Sequence, residues 1–155
     1  MSSDINSLLT QAENRYLKPE ELQEFQRHTS SLAQRLKIYG FLRDREAAIF
    51  EPIAEKLQTA FPEAQQPLVE KSLQHWILIM RHCAMAILLD NNDYLKNNVL
   101  DWFRGFVKTR QSQAIETKIH ELLVAVLQEM LSPKAMIYLE KNLNLAKETL
   151  LNDSD

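Results

Sequence analysis

A chain of 155 residues, 45% apolar and 25% charged, is long enough to bury a core of its own without disulfide or metal staples. Its net charge of -3, with both signs mixed along the chain, excludes a basic nucleic-acid binder and a binder of anionic membranes. Two glycines are too few for an all-β sandwich, and one cysteine, Cys83, excludes an internal disulfide and a thiolate metal site. The N-terminus has no basic flank and no long apolar run, so it does not read as a secretory signal. The longest apolar run, 84–89, is too short to span a bilayer. A cytoplasmic, non-transmembrane protein is the expectation.

The first helix is predicted from Ser3 or Asp4, either of which can cap it, to about Arg15. A break follows, and Pro19 opens a long second helix whose positive end is favoured by Glu20 and Glu21. Leu22, Phe25, Leu32, Leu36 and Tyr39 recur at helical spacing as its apolar stripe. Asp44 is the expected cap of a third helix with Ile49, Ile53, Leu57 and Phe61 on one face. Pro52 predicts a kink or an interruption there. Pro62 stops it, and 63–67 reads as a loop. The fourth helix, 68–89, is the most apolar and is expected at the centre. A turn at 90–93 precedes helical stretches at 94–109 and 114–131. Ser132 and Pro133 then cap and start a last helix ending near Leu151, before a polar, frayed tail at 152–155. Nothing divides the chain, so 1–155 reads as one all-α domain.

Particular residues carry a family resemblance. The run 12–17 with its following Glu21 and Leu22, then 34–38 with Leu42, Arg43 and Asp44, then 61–63, and finally 130–133, resemble in order the phycobiliproteins of the phycobilisome protein family. The resemblance implies a globin-like fold with an N-terminal helical extension at about 3–17. In bilin-bearing relatives the central helix opens on a cysteine that forms the thioether, with arginine and aspartate two and three positions on. The register set by Leu73 and Arg81 puts Ser72, Gln74 and His75 at those places. A serine hydroxyl is no thiolate nucleophile, and losing the arginine removes a charge-assisted contact to a propionate. Only ten positions separate Pro62 from Ser72, where the family carries a longer segment over its pigment. By resemblance the vestigial bilin region is Ser72, Gln74, His75, Trp76 and Ile79, with no covalent cofactor. Tyr16 and Arg81 match residues that hold unlike subunits together, while Gln11 and Met85 stand where the family has aspartate and often tyrosine.

His75 and His82, seven apart, share a helix face and read as polar residues beside a core stripe, against the sharper reading of haem or bilin contacts. His28 and His120 are expected at the surface. Trp76, Met80, Trp102, Phe103 and Phe106 read as core rather than as the lining of a pocket for a planar ligand. Cys83 reads as a small buried apolar residue. No phosphate loop, HExxH or nucleophile setting is present, so no catalytic residue and no metal site is assigned. The resemblance extends to the bilin biosynthesis-associated globins of cyanobacteria. It implies a non-enzymatic accessory that binds a bilin (biliverdin or phycocyanobilin) transiently, or docks on haem oxygenase or a bilin reductase. It places the chain in the cyanobacterial cytosol, reaching the thylakoid surface only through a partner. The alternative is a chromophore-free structural or assembly protein contacting phycobiliprotein subunits, and a third is a haem- or lipid-binding sensory module. A homodimer is the expected self-association.

Overall fold

The computed structural model describes residues 2–91 and 93–151. Its elements are α1 (Ser2–Asn14), α2 (Pro19–Asp44), α3 (Glu46–Ala60), a 3-10 turn (Glu63–Gln65), α4 (Gln66–Leu89), a π-helical turn (Lys96–Leu100), α5 (Asp101–Arg110), α6 (Gln113–Met130) and α7 (Pro133–Leu151). Among the described residues there is no strand, and the architecture is all-α and globin-like, with α1 added in front. The tail at 152–155, Asn92 and the side chains of Ser3, Asp4 and Trp102 lie outside what is described.

Local chemistry sets most boundaries. Pro19 begins α2, and the Lys18 amide donates to Glu21 Oε1 at 2.8 Å. Arg15 grips the same carboxylate with both terminal nitrogens, at 2.8 and 3.0 Å, and so pins the α1–α2 corner. That fork, with the Lys18 amide, holds the Glu21 carboxyl down at about 2. At the other end of the chain, Ser132 caps α7 by accepting from the Ala135 amide at 3.2 Å. Asp90 and Gln111 end α4 and α5 in the left-handed region, at φ 51° and 53°.

Several expectations are corrected. Asp44 is the last residue of α2, not a cap; it pairs with Arg43 at 3.0 Å, and Arg45 stands at the start of α3 without a side-chain bond. Pro52 does not interrupt α3, because its missing donor costs only one bond within a helix whose Ile49, Ile53 and Leu57 are buried. The segment at 63–67 is a helical turn running into α4, which begins at Gln66. The stretch Glu63–Leu89 is long and apolar enough, by length and composition, to cross a bilayer, although its longest unbroken apolar run is short. Its apolar character serves the interior here: α4 packs against α2, α3, α6 and α7. The helix starting at Tyr94 contains the π turn, which periodicity did not indicate.

The largest correction concerns α2. Leu22, Leu32 and Leu36, three residues of the stripe read as its inner face, are 50%, 43% and 56% exposed. The buried face is His28, Arg35, Ile38 and Leu42. Arg35 belongs inside because its guanidinium donates to the carbonyls of Ile87 and Leu88, the negative end of α4. Those bonds fix α2 to the C-terminal end of α4, while the Arg81–Glu46 pair ties α4 to the first residue of α3.

Candidate functional site

α4 turns Ser72, Trp76, Ile79, Met80 and Cys83 inward, all of them 1% exposed or less. Across from them α6 presents a buried carboxylate. Glu116 is 1% exposed, and the Trp76 indole N–H donates to its Oε2. The Ser112 hydroxyl donates to Oε1 at 3.3 Å. Ser72 faces the same carboxylate and favours its charge, yet its Oγ misses hydrogen-bond geometry and stands buried without a partner. Burial pushes the Glu116 carboxyl up, and the Ser72, Trp76 and Ser112 contacts pull it back only in part.

The other members of the expected bilin region are scattered. His75 is buried on the α5 side, stacked on Phe103 (4.4 Å between centroids, 14°) and edge-on to Phe106 (4.4 Å, 83°). Burial, then the nearby Lys71, push its imidazole down, towards the neutral form. Ile79 is core, and Gln74 is exposed on the outer side of α4. The structure therefore brings Ser72 and Trp76 together around Glu116, sets His75 apart among aromatics, and leaves Gln74 outside. His28 and His120, expected at the surface, are 7% and 8% exposed. His28 fills the inner face of α2. His120 sits one turn beyond Glu116 with its ring edge towards Trp76 (5.8 Å, 62°), and its Nε2 is buried without a partner. Trp76, Met80 and Phe103 are core, Phe106 is half-buried, and Cys83 is buried with its thiol pushed up by desolvation.

On the partner side, Arg81 is held by Glu46 through two bonds of 2.7 and 2.9 Å, and this guanidinium keeps the Glu46 carboxyl below its ordinary value. Arg81 and Met85 line one groove of about 420 Å³ between α2 and α4. Tyr16, 99% exposed, and Gln11, whose amide oxygen accepts from Arg15 at 3.2 Å, lie on the α1 side and are not part of that groove. Sequence reasoning missed Glu116, Ser112 and Glu46. Glu116 carries a readable signal, since it falls on the α6 stripe of Leu123 and Leu127, a place for an apolar residue.

Among the described residues no group of three His, Cys, Asp or Glu is placed to hold a metal ion. Ser72 lies in a buried interior where Trp76 and Ser112 donate to Glu116. The phycobilisome protein family matches residues 9–132 of the chain, from within α1 to the start of α7. Among curated proteins, none matches it.

Proposed function

Because this chain belongs to the phycobilisome protein family, we propose that it is a non-enzymatic accessory of bilin biosynthesis, one that meets a linear tetrapyrrole or the enzyme making it without keeping a pigment. Members of that family are pigment-binding structural proteins rather than enzymes, and they associate with other phycobiliprotein subunits. One observation carries the reading. Ser72, which the family resemblance puts where bilin-bearing relatives attach their pigment, is fully buried beside Trp76 and the Glu116 carboxylate. A hydroxyl there has neither the thiolate character nor the access that thioether formation requires. What remains open to visitors is the outer face of α2 and α4. The partner would be haem oxygenase or a bilin reductase, met in the cyanobacterial cytosol.

The test mixes the purified chain with biliverdin, with phycocyanobilin and with haem oxygenase. A spectral shift, a complex or a changed turnover supports the reading; the absence of all three overturns it. A second reading, a chromophore-free structural partner of phycobiliprotein subunits, draws on Arg81 and Met85, which line an open groove. Capture of antenna subunits rather than bilin-making enzymes from cyanobacterial lysate favours that one.

A further inference from the structure

A second groove opens where α3 ends and α4 begins. The two helices meet there through the 3-10 turn, and the space between them measures about 720 Å³. Ala54 of α3 and Leu73 of α4, both half-buried, form its reachable floor, and Leu57 and Val69 close it from beneath. Gln66 braces the junction: its Nε2 donates to the Leu57 carbonyl at 3.3 Å and to the Phe61 carbonyl at 3.0 Å. On α4 the lining runs from Gln66 to Leu73, about two turns of helix.

The charge around this groove is one-sided. Glu63 and Glu70 line it, and both are exposed. Glu51 and Glu55, also exposed, stand three residues before Ala54 and Gln58 and so share that side of α3. The basic residues of these segments point elsewhere. Lys56 falls two positions from both Ala54 and Gln58, and Lys71 two positions from both Val69 and Leu73, which turns each about 160° away. None of the four glutamates is held in an ion pair among the described residues. Glu51 and Glu55, four apart on one helix, repel each other. α3 adds the negative end of its dipole, with no basic residue in its last turn to offset it.

We propose that this groove is a docking site for a basic segment of a partner protein. One apolar side chain enters between Ala54 and Leu73, and flanking lysines or arginines meet the glutamates. Charge complementarity selects this occupant. An acidic segment would face four like charges. A second copy docked by the same face would set glutamate against glutamate. A polyamine would satisfy the carboxylates and leave the apolar floor uncovered. The site stands at the α3–α4 junction, away from the leucine stripe of α2, and needs no tetrapyrrole.

The probe is a short fluorescent peptide in which lysines and arginines flank a single leucine, titrated into the full chain and followed by fluorescence polarisation. Saturable binding that weakens as salt rises is expected. Glu63→Lys combined with Glu70→Lys should weaken it about tenfold or more, and so should Ala54→Trp, which fills the groove. The exposed Glu140→Lys on α7 should bind as the native chain does, and far-ultraviolet dichroism verifies that each variant is folded. A peptide with serine in place of its leucine should bind more weakly. Equal weakening by Glu140→Lys, or equal binding of the leucine and serine peptides, marks diffuse attraction and overturns the proposal, as does the absence of binding. Spermine that binds as tightly as the leucine peptide assigns the glutamates to a polyamine and overturns it too. A dimer seen by sedimentation and dissolved by Ala54→Trp assigns the groove to a second copy of the chain, with the same consequence.

Discussion

At the residue scale, Glu116 joins α4 to α6 through a single side chain. Burial raises its carboxyl above the ordinary value of 4.5, so the folded chain favours the protonated form. Its contribution is therefore full below the unfolded value and is lost as pH rises through the folded one. Stabilities from urea denaturation between pH 5 and 8 should fall for the native chain and stay level for Glu116→Gln, the two curves diverging by on the order of 1 kcal/mol. Parallel curves would show that the Trp76 and Ser112 hydrogen bonds offset burial. Ser72 yields a second expectation. Ser72→Cys restores the family's nucleophile in name, but the thiol would stay sealed behind Trp76, so incubation with phycocyanobilin should give no covalent pigment. Zinc-induced fluorescence of a denaturing gel reads this directly, and a fluorescent band at the chain's mass contradicts it.

Elements differ in how openly the sequence declares them. The stripe of α3 is legible because Ile49, Ile53 and Leu57 repeat without polar interruption and are buried as read. α2 misled for a physical reason. Its more regular leucine stripe faces water, whereas its inner face includes His28 and Arg35. Arg35 can be buried only because α4 brings two carbonyls to it, and nothing within α2 announces that. The same holds for Ser72, Trp76 and Glu116: the family resemblance groups the first two, but the carboxylate arrives from another helix, forty positions beyond Trp76. The end of α5 carries a local cost that can be removed. Gln111 sits at φ 53°, where a Cβ is unfavourable, so Gln111→Gly should raise stability by about 0.5–1 kcal/mol, checked as a higher thermal midpoint. A lower midpoint would mean that the glutamine side chain outweighs its backbone strain.

For the whole molecule, one apolar cluster runs from Ile38 in α2 to Leu150 in α7. Truncation anywhere within it should therefore weaken the entire fold. Leu123, 0% exposed, supplies the test: Leu123→Ala should cost about 2–5 kcal/mol, with the denaturation slope unchanged and probes of different helices losing signal together. Separate transitions would show that the chain unfolds in parts. Outside this cluster the longest helix holds Leu22, Leu32 and Leu36 in water. Chaperones and proteases triage chains whose apolar surface is uncovered. Copies made in excess of whatever covers that stripe should accordingly be short-lived, so that the cellular amount of this chain follows its partner's stoichiometry, as a pulse-chase with and without that partner would record.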